Sequence, residues 1–361
     1  MSFQKHIFKG KILEYENLIV NAYLEYFGTS QFHPKSSKII CYFLIHRKLT
    51  QKQLQELTGY SVGTISSYLS LLENKGFLKK RMIPGTHTMQ YFIPGSLIQY
   101  INILRENTLK ENAKAKDFFK SIKMKLNELL MQNLKGFDLI HSSVNEILNF
   151  LEIRERFYHL YNIEFLQENK NIKKKIQSYK IQEKNQYSVP IDNKILQIES
   201  KIINFFQDSG IFSEFKIEKT SVIKILGYFI TRRVLNNKLL QKLTGLSAGS
   251  ISQGLNLLLS MKLIEKEKEN KSSRQLYKMK SVVLTLLNLL IETRKKRLQW
   301  EPIAIQILKE LDGHMIELCD LNGYYEIYTL LLHVLRLFPM YKKQIEFIET
   351  CKNEIDEQLN L

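Results

Sequence analysis

Two short segments of the sequence have the spacing of a serine nucleophile. Gly59–Gly63 (GYSVG) and Gly245–Gly249 (GLSAG) both match the G-x-S-x-G pattern of hydrolases. That pattern needs a buried strand before the serine and a helix after it. Here an amphipathic segment of helical periodicity precedes each serine. We therefore predict that Ser61 and Ser247 are helix N-caps and that the chain is not an enzyme.

Residue types that bind metals or cofactors form no known motif in this sequence. It contains no Walker sequence, dinucleotide fingerprint or HExxH motif. His314 and Cys319, like Cys41 and His46, are five residues apart, which does not place both side chains on one face of a helix. We predict no metal site and no cofactor.

An internal repeat organises the chain. The sequence from Lys38 to Tyr91 aligns without a gap on that from Lys224 to Tyr277, an offset of 186 residues. Roughly two in five of these positions are identical, which indicates duplication of one structural unit. We predict two units, residues 1–180 and 187–361, separated by the polar, basic stretch 170–190.

Cap residues in each copy mark two helices joined by a tight turn. Thr50 and Gln53 predict a capping box for the first helix, and Asn236 has the position of Thr50 in the second copy. Gly59 and Gly245 end these helices, and a serine caps the next helix two residues later. This pattern predicts a helix-turn-helix.

The second helix of each pair combines an apolar face with a small, polar, uncharged one. Ile65, Leu69 and Leu72 have the spacing of buried residues. The opposite face suits hydrogen bonding to bases and phosphates in a major groove, whereas an ordinary solvated face favours Lys and Glu. This face ends at Asn74 in the first copy and Ser260 in the second. Its predicted DNA-binding residues, with the serine caps, are Ser61, Gly63, Thr64, Ser66, Ser67 and Ser70, and Ser247, Gly249, Ser250, Ser252, Gln253 and Asn256.

Two short strands are predicted after each of these helices. Turn signals at Pro84–Gly85 and around 270–273 indicate hairpins that act as wings. Their basic residues are placed for contact with phosphates or a minor groove, although an exposed hairpin is often basic for solubility alone. These residues are Lys79, Lys80, Arg81 and His87 in the first copy, and Lys266, Lys268, Lys271 and Arg274 in the second.

The composition favours a polyanionic partner. Lys and Arg number 53 against 36 Asp and Glu, a net charge of +17, which attracts DNA, RNA or an anionic membrane unless it reflects a basic proteome background.

Three separated cysteines predict no disulfide and fit a reducing cytoplasm. The N-terminus lacks an apolar signal segment, and the apolar runs are too short to span a bilayer. We predict a cytoplasmic protein without membrane contact.

Long helical segments are predicted beyond each wing. Pro302 suits a helix start and Pro339 a kink or a break. The fold class expected is mainly α with small β-wings, in which the two units pack their long helices on each other as an intramolecular pseudo-dimer. The segments are 97–135, 139–167, 282–299, 302–319 and 324–361.

These residues resemble the GbsR-like branch of the MarR superfamily of winged helix-turn-helix transcriptional regulators. Residues 16–45 and 49–80 are similar to that family's opening helix and helix-turn-helix, and residues 243–258 keep the motif in the second copy. The resemblance implies homodimers that read a pseudo-palindromic operator. This chain departs from the family pattern because it fuses two non-identical copies. We therefore expect one chain to do what a dimer does elsewhere. Whether two such chains also form a homodimer stays open.

The resemblance also implies a small-molecule effector between the DNA-reading and dimerisation regions. No pocket motif in this sequence carries that property over. Trp300, Tyr324 and Tyr325 are candidates for lining such a cavity, although aromatic residues at helix ends more often serve packing.

Two other functional classes stay open. Plasmid replication initiators use tandem winged helices on directly repeated DNA, and ScpB-like chromosome-segregation adaptors use them to bind protein, although those adaptors tend to be acidic. Our hypothesis places helices over 62–75 and 248–261 in successive major grooves of double-stranded DNA, with centres about 34 Å apart. Because Ser67-Tyr68 and Gln253-Gly254 differ, the operator should be an imperfect palindrome.

Overall fold

A computed structural model describes residues 7–27, 34–160, 191–215, 217, 219–268 and 275–359. The predicted linker over 170–190 and the predicted turn around 270–273 lie outside the described residues, as does the end of the helical segment 139–167.

The described chain is mainly helical and carries two small antiparallel sheets, as the sequence predicts. Its first half contains α1 (Gly10–Tyr26), α2 (Pro34–His46), β1 (Lys48–Thr50), α3 (Gln51–Thr58), α4 (Val62–Asn74), β2 (Lys79–Met82), β3 (Met89–Phe92), α5 (Leu97–Leu129) and α6 (Phe137–His159). Its second half contains α7 (Asn193–Asp208), α8 (Thr220–Arg232), β4 (Val234–Asn236), α9 (Asn237–Thr244), α10 (Ala248–Ser260), β5 (Glu265–Lys268), β6 (Gln275–Lys278), α11 (Val282–Leu298), α12 (Glu301–Gly313), α13 (Met315–Leu318), α14 (Tyr324–Leu335) and α15 (Phe338–Leu359).

The elements from α2 to β3 recur from α8 to β6 with every boundary displaced by 186 residues. Unusual backbone conformations recur at the same offset. Arg47 and Arg233, which follow α2 and α8, have φ angles of 64° and 66°. Non-glycine residues seldom adopt this left-handed region. The two segments, 34–95 and 220–281, are called copy 1 and copy 2 below.

Each sheet has three strands, of which the sequence predicted two. The strand order is β1-β3-β2 in copy 1 and β4-β6-β5 in copy 2. Lys48–Thr50 pairs antiparallel with Phe92–Gln90, and the hairpin turns at Pro84–Gly85 as predicted. Sequence analysis missed β1 and β4 because each is only three residues long and ends at the N-cap of the following helix.

Three predicted helical segments differ from the structure in their ends. The segment 97–135 ends as a helix at Leu129 and continues as a 3-10 turn. The segment 302–319 is divided at His314 into α12 and α13. The segment 324–361 is interrupted before Phe338, one residue ahead of Pro339, so the predicted break is confirmed.

The residues divide into two compact units. Unit 1 comprises Met1–Thr108 and Arg294–Lys343, and unit 2 comprises Leu109–Thr293 and Gln344–Leu361. Each unit therefore combines one copy with helices from the other half of the sequence. Helices α5, α11 and α15 contribute residues to both units.

The core of unit 1 joins the opening helices to the segment 294–343. Trp300 is buried, and its ring meets Phe27 edge-on with a centroid distance of 5.2 Å. Tyr15 on α1 donates a hydrogen bond to Glu310 Oε2 on α12 over 3.0 Å. These contacts connect the opening segment of the chain to α12 and to the residue that precedes it.

The core of unit 2 contains a buried polar network as well as apolar side chains. The stacked rings of Phe118 and Phe205 lie 4.1 Å apart. Arg154 Nη2 lies 2.7 Å from Glu214 Oε2, and the Tyr158 hydroxyl donates to the same carboxylate over 2.8 Å. A buried ion pair of this kind is strongly destabilising when one partner is removed.

Candidate nucleic-acid interface

The two turns between paired helices are built alike, down to individual hydrogen bonds. Gly59 and Gly245 adopt left-handed φ angles of 72° and 70°, which glycine accepts without steric cost. Thr58 Oγ1 accepts from Tyr60 N, and Thr244 Oγ1 accepts from Leu246 N, both over 3.2 Å. These turns fix the direction in which α4 and α10 begin.

Ser61 and Ser247 are N-caps, as the sequence predicts. Ser61 Oγ accepts from Thr64 N over 3.3 Å, and Ser247 Oγ accepts from Ser250 N over 3.2 Å. Helices, not strands, precede both serines. The geometry is that of a capped helix rather than a nucleophile elbow.

The predicted reading faces of α4 and α10 are turned away from the core. Ile65, Leu69 and Leu72 are buried as predicted. The polar residues opposite them are exposed, apart from the half-buried Thr64 and Ser250. The exposed members are Ser61, Gly63, Ser66, Ser67, Ser70 and Asn74 on α4, and Ser247, Gly249, Ser252, Gln253, Asn256 and Ser260 on α10. Each helix thus offers its uncharged polar groups to solvent.

Gly63 and Gly249 lie in the first turn of these helices with open space around them. A Cβ atom added at either residue would meet nothing within 4 Å, and neither has a positive φ angle. Glycine weakens a helix relative to alanine by about 0.5–1 kcal/mol. Neither packing nor backbone conformation requires glycine at these positions, which favours a close approach by an external partner.

The basic residues of the first wing differ in their intramolecular hydrogen bonds. Lys79 and His87 are exposed. Lys80 Nζ lies 2.9 Å from Glu73 Oε2, and that hydrogen bond raises the pKa of Lys80. The Arg81 guanidinium donates to Gln90 Oε1 over 3.0 and 3.2 Å. Lys80 therefore has an intramolecular partner that competes with phosphate.

The second wing carries fewer free cations on its first strand. Glu265 and Glu267 replace Lys79 and Arg81 at the equivalent positions, and Lys266 is exposed. Lys268 ends β5, whereas Lys271 and Arg274 lie outside the described residues.

Nearly all of the net charge lies in the two copies. Copy 1 contains nine basic and two acidic side chains, a charge of +7, and copy 2 contains twelve and three, a charge of +9. Together they account for +16 of the chain's +17. A positive field concentrated in this way attracts a polyanion to these segments rather than to the long helices.

Sequence analysis missed a pair of exposed lysines on the first helix of each pair. Lys52 on α3 and Lys238 on α9 are exposed, and their positions are equivalent at the 186-residue offset. In a helix-turn-helix the first helix crosses the DNA backbone, where such lysines contact phosphates. Because lysine occupies the equivalent position in both copies, the alignment of the two copies could have identified these residues.

The residues considered as metal ligands have other roles. Cys41 is buried, and His46 Nε2 lies 2.6 Å from Glu16 Oε1 inside unit 1. His314 Nδ1 lies 3.3 Å from Glu317. Among the described residues, no group of three His, Cys, Asp or Glu side chains is arranged to hold a metal ion.

Within the described part of the chain, no helix has the length and apolar character needed to cross a membrane.

No family model matches the sequence. No curated protein matches it either. One solved structure, described as the crystal structure of a transcriptional regulator, aligns with 46% of this chain and 96% of its own, with 12% identity and a TM-score of 0.23. Similarity at this level carries no argument about fold or function.

Proposed function

We propose that this chain is a sequence-specific double-stranded DNA-binding transcriptional regulator with two winged helix-turn-helix modules, related to the GbsR-like branch of the MarR superfamily. In each module α3–α4 or α9–α10 forms the helix-turn-helix. The three-stranded sheet supplies the wing. Helices α4 and α10 enter the major groove, because their exposed faces carry hydrogen-bonding groups without charge.

One observation carries this proposal. Both α4 and α10 combine an exposed polar face with a glycine that neither packing nor backbone conformation requires. Gly63 and Gly249 let the backbone at a helix N-terminus approach a phosphate, where the helix dipole favours negative charge. The surrounding copies hold +16 of the net charge. A protein-binding adaptor has no need of either feature, whereas both serve contact with DNA.

The composition of the units supports a single-chain equivalent of a dimer. Each unit joins one copy to helices from the opposite half of the sequence. Exchange of an identical element between subunits is one low-cost route to a dimer. We therefore propose that the sequence halves 1–180 and 187–361 descend from one subunit, that one chain reads both half-sites, and that it acts as an intramolecular pseudo-dimer.

Selection of binding sites from a library of random duplexes, with the full chain, tests the proposal. We expect an imperfect palindrome whose half-site centres lie about one helical turn, 34 Å, apart. Scrambling either half-site should then weaken binding by about tenfold or more for each base pair changed. Selected sites in direct repeat would favour a replication initiator instead. Failure to bind any duplex at physiological ionic strength, together with capture of a protein partner without nucleic acid, would favour an adaptor.

A further inference from the structure

The tip of the first wing carries two exposed methionines side by side. Met82 ends β2 and Met89 begins β3, and the two residues are paired across the hairpin. They are 55% and 38% exposed. Residues directly opposite each other in an antiparallel pair project from the same face, so the two side chains form one apolar patch. Pro84, in the turn beyond them, is also exposed.

The turn that joins the two methionines is closed by its own hydrogen bonds. Ile83 N donates to Thr88 O over 3.0 Å, and Ile83 O accepts from Thr86 N over 3.1 Å. Thr86 Oγ1 accepts from Thr88 N over 3.1 Å. Gly85 has a positive φ angle of 75°, which a side chain would disfavour. Because the loop is bonded internally, little conformational entropy is lost when it places the methionines against a partner.

The patch lies on the face of the hairpin that is turned towards α4. Side chains alternate along a strand, so Met82 shares a face with Lys80. Lys80 Nζ lies 2.9 Å from Glu73 Oε2 near the end of α4. Arg81 projects from the other face, where its guanidinium lies 5.4 Å from the centre of the Phe92 ring. The methionines therefore project from the side of the wing that adjoins the proposed recognition helix.

Cations surround the patch along the chain. Residues 75–95 contain four lysine and arginine side chains and no aspartate or glutamate. Lys79 on β2 and His87 in the turn are exposed. An apolar patch with a cationic border is complementary to an apolar surface with an anionic border. The stacked bases of a duplex, which lie between two phosphate backbones, provide such a surface.

Copy 2 has a wing of the same register without this patch. The residues equivalent to Met82 and Met89 are Lys268 and Gln275, and they pair across the hairpin in the same way. The sequence between them, 269–274 (ENKSSR), contains no apolar residue. The hairpin therefore forms with polar residues at both positions, so its fold does not require the methionines. Their exposure in copy 1 favours a role towards a partner.

We propose that the first wing inserts Met82 and Met89 between two base pairs from the minor groove and kinks the duplex at that step. The inference rests on the proposed DNA-binding function. Methionine and proline are among the side chains that act as such wedges, which bend DNA by about 20–90° towards the major groove. Lys79 and Arg81 contact the flanking phosphates. The second wing has no such wedge in its sequence, so the kink lies beside the copy 1 half-site alone.

The wedge also predicts which base step the first wing selects. Pyrimidine–purine steps, TA and CA/TG, unstack more easily than others, so the energy of insertion is lowest there. Selected duplexes should carry such a step beside the copy 1 half-site and no preference at the equivalent place beside the other. The wing would then contribute specificity without a hydrogen bond to a base.

Two fluorescence signals from a selected duplex test the inference. Energy transfer between dyes at the two ends reports bending, and 2-aminopurine in place of the adenine of the selected step reports unstacking. Binding of the native chain should raise both signals, and the 2-aminopurine signal should rise beside one half-site and not the other. Met82→Gln combined with Met89→Gln should abolish both increases, since glutamine has a similar length but is polar.

The glutamine variant should still bind the duplex. Its affinity should stay within about tenfold of the native value, because the phosphate contacts of the wing are intact. The slope of log affinity against log salt should not change, because no cation is lost. Met82→Leu combined with Met89→Leu is the matched control, since it keeps the apolar bulk and should retain both signals. Circular dichroism verifies folding, and the native chain alone decides the matter if the glutamine variant does not fold.

The outcomes separate this inference from the proposed function. Binding of the native chain without bending or unstacking would overturn the wedge and leave DNA binding standing. Native signals from the glutamine variant, or loss of both signals in the leucine variant, would do the same. Failure of the native chain to bind any duplex would overturn both.

Discussion

Lys80 Nζ donates a hydrogen bond to Glu73 Oε2 over 2.9 Å, which ties the first wing to the end of α4. In copy 2 the equivalent of Glu73 is Leu259, so the carboxylate that pairs with Lys80 is replaced by an apolar side chain. The two wings therefore differ in how readily the same lysine can turn to a phosphate.

Glu73→Gln should strengthen DNA binding. The substitution frees Lys80 from an exposed, solvent-screened ion pair, so affinity should rise by up to about fivefold at low salt. Fluorescence anisotropy with a selected duplex measures the change. Glu56→Gln is the control, because it adds the same charge to copy 1 from α3 without touching Lys80. Equal gains from both variants would show that net charge, not the Lys80 contact, is responsible.

Gly63→Ala and Gly249→Ala should each raise the stability of the fold and lower the affinity for DNA. Each adds a methyl group in open space on a helix, so each should stabilise the fold by about 0.5–1 kcal/mol. If α4 and α10 approach DNA closely at these glycines, affinity should fall in both variants while the melting temperature rises. Thermal melts and anisotropy on the same preparations measure the two effects. Improved stability with unchanged affinity would place the DNA contact elsewhere.

Much of the local architecture follows from the sequence, because local chemistry determines it. Ser61 and Ser247 specify N-caps and Gly59 and Gly245 specify left-handed turns, so α4 and α10 are predicted with their observed starts and to within one residue of their observed ends. The internal repeat then transfers each prediction to the other copy. Lys52 and Lys238 show that the same comparison could have identified more of the basic surface.

Contacts between residues far apart in the sequence could not be predicted from it. The ion pair of Glu146 with Arg233 joins residues 87 apart, and helical periodicity marks a buried face without naming its partner. Nor did periodicity indicate that copy 1 shares a unit with residues 294–343.

Base-reading and phosphate-binding residues should respond differently to substitution. Gln253 is exposed, and Gln253→Ala should relax base preference in one half-site only, at a cost of about 1–3 kcal/mol for the preferred base. Ser67→Ala should do the same in the other half-site. Lys266→Gln should weaken all duplexes alike and lower the slope of log affinity against log salt by about one. Repeated site selection and salt titrations check these outcomes.

Lys120→Gln provides the charge control for this comparison. Lys120 is exposed on α5, outside both copies, and its loss changes the net charge by the same amount as the loss of Lys266. Its salt slope should equal that of the native chain. If Gln253→Ala and Lys266→Gln altered all sequences in the same way, the assignment of reading and phosphate roles would be wrong.

The cysteines should report unfolding of the two units separately. Cys41 in unit 1 and Cys351 in unit 2 are both buried, and burial raises the pKa of Cys351 to about 12 and that of Cys41 well above its ordinary value. Because the thiolate is the reactive form, neither should be alkylated in the native protein. Cys319 is partly exposed and should react first.

Glu214→Gln should accelerate labelling of Cys351 relative to Cys41. It removes the partner of Arg154 in the buried network of unit 2, and loss of one member of such a pair costs about 3–5 kcal/mol. Pulsed alkylation with mass spectrometry at low denaturant follows both thiols in one sample, so Cys41 is the internal control. Equal acceleration at both thiols would mean that the two units unfold as one cooperative body.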